Sequence, residues 1–188
     1  MAPQSTPKPH IIHTPSLKES DFAKITHNVD FSAVRHNIPL GDLTGLTKLG
    51  VHLVRLTPHS TSAANHWHTQ DDEWIYVVDA GEKGATLVRV ITPEVAGEGQ
   101  TQNEVKKETI YKGDFIAFPA SRAVGHHIAT GDEEVVFLVC GTRVSVDVCT
   151  YPLDGKKLVI DRKMDTEWFV EEGGIEWHKT GSMAGMQK

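Results

Sequence analysis

An all-β domain is the fold this sequence predicts, on three observations. Short runs of β-branched and apolar residues recur from Leu49 onward, separated by Gly, Pro, Asp or Asn. In one run Val144, Val146 and Val148 alternate with Ser145, Asp147 and Cys149, the period of a strand with one face buried, whereas Val135 to Cys140 is apolar throughout. No segment sustains a helical period, and the best helical candidate, Ser16 to Ile25, is short. Half-buried and fully buried strands together point to a sandwich or barrel.

The elements follow in order. Residues 1 to 16 hold four prolines among polar residues, so an irregular lead-in is expected. Strands are expected at Leu49 to Thr57, Glu73 to Asp79, Ala85 to Thr92, Asp114 to Phe118, Glu134 to Cys140, Val144 to Thr150 and Lys157 to Ile160. Between Thr92 and Glu108 the chain is polar, with Gly97 and Gly99, and longer than a hairpin needs, which suits a mobile flap. Trp168, Phe169 and Trp177 then surround Gly173 and Gly174, and such aromatics are expected to pack on the barrel or on a second subunit. The division reads as an irregular extension over 1–39, a barrel over 40–161 and a tail over 162–188.

Composition narrows the function. A chain of 188 residues, 39% hydrophobic and 23% charged, suits one ordinary globular domain. With 19 basic against 25 acidic residues and no basic run, the net charge of -6 argues against a nucleic-acid partner. The longest apolar stretch, Val135 to Cys140, is too short for a bilayer, and Met-Ala-Pro-Gln-Ser lacks a secretory core, so a cytoplasmic protein with no membrane contact is expected. Cys140 and Cys149 read as reduced thiols rather than a disulfide framework. Histidine, at 11 residues, is the unusual count.

The segment Asn65 to Gly81, NHWHTQDDEWIYVVDAG, carries the chemistry. His66 and His68 flank Trp67 on an expected strand, so both imidazoles share a face and can converge on one ion. Thr69 to Asp72 suits a hairpin loop, after which Glu73 returns to the same face; Asp72 is the alternative carboxylate. Two imidazoles and an oxygen donor suit a divalent transition metal (iron, manganese, zinc, nickel or copper) rather than calcium. Tyr76, three residues after Glu73, is expected on the opposite face, in packing. Arg55, Arg89, Arg122 and Arg143 are candidate anion clamps but read better as solvated charges, and His59 as a loop histidine.

A second cluster, His126 and His127, follows Gly113-Asp114 and Phe118-Pro119. The order His-x-His, Glu, Gly-Asp, Pro, His resembles the two motifs of the cupin superfamily, over roughly residues 40 to 160. Within it, GDFIAFPASRAVGHH (113–127) looks like a subgroup of small single-domain cupins. Ser121 stands where that pattern usually has glycine, and the histidine arrives two residues late. The resemblance implies a double-stranded β-helix, or jelly-roll barrel, with a metal held inside by His66, His68, Glu73 and one later histidine. Adjacent strand residues cannot both face inward, and His126 is preferred to His127.

Four protein ligands would leave open positions on an ion that accepts five or six, as catalytic metals need. Residual positive charge favours anionic or chelating oxygen-rich small molecules. The expected function is oxygenase chemistry, or Lewis-acid isomerase or lyase chemistry, on such a metabolite; the alternative is a barrel that only binds metal and metabolite for sensing or storage. A further titratable group inside the barrel would separate the two, because acid-base chemistry needs one. A homodimer is expected from the resemblance and the aromatic tail.

Overall fold

Short runs joined by tight turns pair antiparallel, and every strand pairing among the described residues is antiparallel. The structure, a computed structural model, describes residues 7–93, 102–171 and 174. Its first strands are β1 (Ala23–Thr26), β2 (Val34–Ile38), β3 (Leu49–Leu56), β4 (Trp67–His68), β5 (Glu73–Asp79) and β6 (Ala85–Ile91), with a short helix α1 (Leu40–Thr44) before β3. There follow β7 (Glu104–Ile110), β8 (Phe115–Phe118), β9 (Val124–Ala129), β10 (Val135–Thr142), β11 (Val146–Tyr151), β12 (Lys156–Asp161) and β13 (Thr166–Glu171). One wall is a six-stranded sheet in the order β1-β2-β3-β10-β5-β8. Facing it are a four-stranded sheet, β13-β12-β11-β4, and a three-stranded sheet, β7-β6-β9. The segment leading into β4 bridges to β9 at Thr61 opposite Ala129 and at His66 opposite His126, so that the two sheets form the second wall of the predicted jelly roll.

Strand alternation fills one end of the barrel. Val54, Leu56, Ile75, Val77, Leu87, Ile128, Val135 and Phe137 form a single buried aliphatic and aromatic cluster. Because Ile75 and Val77 face in, Tyr76 faces out, as expected; it does not pack inside, however, and is 42% exposed. At the other end the interior opens into a cavity of about 350 Å³. No helix among the described residues is long and apolar enough to cross a membrane.

Short 3-10 turns at Thr14–Ser16 and Glu19–Asp21 lead into β1, in keeping with the lack of a sustained helical period over Ser16 to Ile25. Four expectations need correction. Both β1 and β2 lie within the segment expected to be irregular, and β7 and β13 are further strands, in the expected flap and tail. Except for β2, these are edge strands with largely exposed residues, held by main-chain bonds to one neighbour, so their side chains carry no burial pattern. Residues 94–101 and Trp177 lie outside the described residues.

The third correction concerns β11. Its fully buried side chains include Asp147, at 0% exposure, while Val146 is 46% exposed. The strand lines the cavity, so polar groups point inward and the phase is set by function rather than hydropathy. Fourth, β4 and β5 are not a hairpin; they sit in opposite walls, and Thr69 to Asp72 carries the chain across. Asp71 pins that crossing, accepting hydrogen bonds from the Val144 N–H at 3.0 Å and the Thr142 hydroxyl at 3.1 Å, and pairing with Arg162 at 2.7 Å.

Candidate metal centre

The seam between the two sheets of the second wall brings two of the expected ligands together. The His126 N–H donates to the His66 carbonyl at 2.9 Å and the His66 N–H to the His126 carbonyl at 3.4 Å. Directly opposed residues of an antiparallel pair present side chains on one face, and here the two rings are 5.1 Å apart. His68, two residues on, lies on that face with its ring 5.2 Å from His66, held by pairing of β4 with β11. Glu73 reaches over from the first wall: Oε2 is 3.3 Å from His68 Nε2 and Oε1 is 3.6 Å from His126 Nε2. His66, Glu73 and His126 offer donor atoms within 4.8 Å of one another; His68 meets this group through Glu73 and clusters separately with His66 and Cys149. All four expected residues line the one cavity.

Each imidazole is prepared differently. The His66 Nδ1–H donates to the Ala64 carbonyl at 2.8 Å, leaving Nε2 as the free lone pair. Burial, with the neighbouring His126 and His68, pulls its pKa down to about 3, so the ring is neutral. His68 Nδ1–H donates to Asp147 Oδ2 at 2.6 Å. Burial alone would lower His68, but Asp147 on one nitrogen and Glu73 on the other push it up to about 10 in the metal-free chain. Glu73, though buried, is held well below the usual carboxylate range by His126 and His68. His126 is 2% exposed, stacks on Phe118 with ring centres 3.5 Å apart, and has no hydrogen-bond partner on either nitrogen. A sealed imidazole without a partner is costly, and a cation at Nε2 would satisfy it. The donor set therefore fits a transition metal ion.

Around the second motif the backbone explains a departure noted in the sequence. Ser121 has φ 63°, the left-handed region that glycine adopts most cheaply. Its N–H donates to the His68 carbonyl at 2.9 Å and its hydroxyl to the Thr69 carbonyl at 2.6 Å, so a serine is retained there by tying the turn to β4. His127 points away from the centre and its Nδ1 lies 3.2 Å from the Asn65 side-chain nitrogen. Gly125 lets Asn65 sit there, because an added Cβ would land on the Asn65 side-chain oxygen. Gly125→Ala is therefore expected to cost about 1–3 kcal/mol, measured by urea denaturation, by pushing Asn65 and the seam apart.

A family model described as Cupin matches residues 32–148, more than half of the chain. The chain belongs to the cupin family. Its fold is similar to that of a protein from Acidithiobacillus ferrooxidans named as a sugar phosphate isomerase, at TM-score 0.68 and 29% identity over 83% of this chain and 88% of that one. A sugar phosphate isomerase from a cupin superfamily, of Silicibacter pomeroyi, gives TM-score 0.58 and 28% identity over 77% of this chain and 80% of that one. Comparison with curated proteins gives no match.

In this cupin the cavity also takes in residues that the local sequence did not flag. His27, from the turn after β1, has its ring 6.4 Å from His66, and Tyr151, at the end of β11, 5.8 Å. Arg35 lines the cavity too, and Asp147 supports it from behind by accepting from His68 Nδ1–H. None belongs to a spacing motif; only the mixed composition of VDVCTY, polar where a core strand would be apolar, hinted at β11. Of the candidate clamps, Arg55 pairs with Glu19, Arg89 with Glu108 and Arg143 with Asp42. Arg122 lines a smaller pocket of about 130 Å³ beside Trp67. His59 is exposed near Asp132, and Asp72 accepts from the Ala120 N–H at 2.9 Å.

Proposed function

We propose that this cupin is a metal-dependent enzyme acting on a small, oxygen-rich anionic metabolite, with His66, His68, Glu73 and His126 as ligands of one divalent transition ion. The observation that carries the reading is the convergence of these buried donors beside a cavity that also holds His27 and Tyr151. When bound, such an ion polarises a substrate carbonyl or hydroxyl, and iron, manganese, nickel or copper would add oxygen chemistry.

The chain's own residues supply the rest. His27 Nδ1 accepts from the Val29 N–H at 3.1 Å and the Asp30 N–H at 3.3 Å, so its proton rests on Nε2, available to donate to a substrate oxygen. Burial and Arg35 keep that ring neutral. Burial also raises Tyr151 far above the ordinary phenol range, which keeps its hydroxyl a donor. Two neutral donors beside a cationic centre suit proton redistribution on a sugar-like substrate more than simple storage. The isomerase names of the two similar structures support the Lewis-acid branch.

The proposal includes a homodimer, supported by the apolar outer face on which Val78 and Phe115 are 36% and 63% exposed. The test is elemental analysis of tag-free protein, followed by nuclear magnetic resonance of aldose and ketose phosphates in deuterated water. One ion per chain with metal-dependent deuterium incorporation is expected. Metal without turnover of any of these, with or without oxygen, would replace the enzyme with the binding barrel; no metal would remove the centre.

A further inference from the structure

Three arginines line the cavity: Arg35, Arg143 and Arg162. Two are neutralised by this chain, Arg143 by Asp42 at 2.5 Å and Arg162 by Asp71 at 2.7 Å. Among the described residues no carboxylate lies within 4 Å of the Arg35 guanidinium. One of its five donors is used, Nη1 to the Ser62 carbonyl at 2.9 Å. A partly buried guanidinium without an anion sacrifices hydration with little return, and its planar fork matches carboxylate and phosphate oxygens.

Its position gives that fork a purpose. Arg35 and Asn37 alternate on β2, both lining the cavity, while His66 and His126 approach from the opposite wall. His27 and Tyr151, whose rings lie 6.4 and 5.8 Å from His66, both feel the charge of Arg35. The cavity thus has a histidine and carboxylate end, two neutral donors, and a cation with no ion-pair partner, which feels the charge of Glu73 only across the cavity. Its volume of about 350 Å³ admits a ligand of about a dozen non-hydrogen atoms.

We propose that Arg35 seats a second oxyanion group, carboxylate or phosphate, of a two-ended substrate whose other end meets the metal centre. The substrate class is then a small hydroxy or keto compound with an anionic terminus. This rests on the metal-centre reading for its far end only, and the test separates the two.

In the first arm, metal-free protein is titrated calorimetrically with inorganic phosphate. Arg35→Met is expected to weaken binding about tenfold or more, and Arg35→Lys less, since a charge remains without the fork. In the second arm, protein loaded with manganese(II) is titrated with glycerate, malate and 3-phosphoglycerate. The last two extend the same chelating hydroxy acid with a carboxylate or a phosphate. Wild type is expected to bind at least one of them about tenfold more tightly than glycerate. In Arg35→Met that gain disappears while glycerate affinity and manganese content are unchanged, and the favoured ligand identifies the terminus.

An equal gain in wild type and Arg35→Met, or no gain in wild type, overturns the proposal. A chain that takes up neither manganese nor iron, zinc, nickel or copper overturns the metal centre instead. The phosphate arm then decides alone, and unchanged phosphate affinity in Arg35→Met overturns the clamp. Thermal melts check folding, with Arg35→Lys as the gentler variant.

Discussion

Replacing His66, His68 or His126 by alanine is expected to strip the proposed metal while leaving a folded barrel. The ligands come from the seam, from β4 and from the opposite wall, so removing any one takes a donor from its own side of the ion; Cys149, which clusters with His66 and His68, is kept a protonated thiol by burial. Loss of an outer partner already costs about 10–100-fold in metal affinity, and a direct ligand should cost more. The fold survives because much of its apolar core, Leu56, Val77, Leu87, Ile128 and Val135, does not line the cavity. Elemental analysis beside thermal melts reads both. Stoichiometric metal in a His66→Ala/His68→Ala double variant would reject the site.

Asp147→Ala should give the larger loss of stability. Asp147 is fully buried, and its carboxylate accepts from His68 at 2.6 Å and from the Gln70 and Asp71 N–H groups at 2.8 and 3.4 Å. Truncation leaves those donors, one of them cationic in the metal-free chain, without an acceptor, at a cost of about 3–5 kcal/mol. Asp147→Asn keeps an oxygen for the backbone and should lose less. A pH series separates this from a packing defect. His68 is raised from 6.5 to about 10, so its contribution is complete below pH 6.5 and vanishes as pH climbs through about 10. Asp147 is lowered from 3.8, mainly by its bonds to His68 and Gln70 in spite of burial, so its contribution holds above that value and vanishes on acidification. His66, neutral in the fold with its pKa near 3, costs stability as pH falls below 6.5, so metal-free wild type is expected to be most stable near pH 6.5 and to weaken toward both pH 4 and pH 10. Asp147→Ala should flatten the alkaline side; an unchanged slope would reject the pairing.

The centre was legible because its signal is local. His66, His68 and Glu73 lie within eight residues, and strand periodicity predicts a shared face without knowledge of the fold. The same alternation allows only one of His126 and His127 to face inward, and the structure turns His126 inward and His127 toward Asn65. Arg35 and His27 were not legible, since only β2 and the turn before it, closing over the barrel, bring them near residues some 30 positions away. β11 misled for a different reason: hydropathy assigns valines to the interior, but the strand turns Cys149 and Tyr151 to the cavity and buries Asp147 against His68. Edge strands such as β7 escaped because main-chain pairing leaves no trace in side-chain type.

The rung at His66 and His126 has one more consequence. Both residues lend their own peptide groups to the joint that knits two sheets into a wall, so the joint cannot breathe without drawing two donors apart. The joint closes without an ion, and an occupant would act as a rivet on it, adding its binding free energy to the resistance of that line to opening.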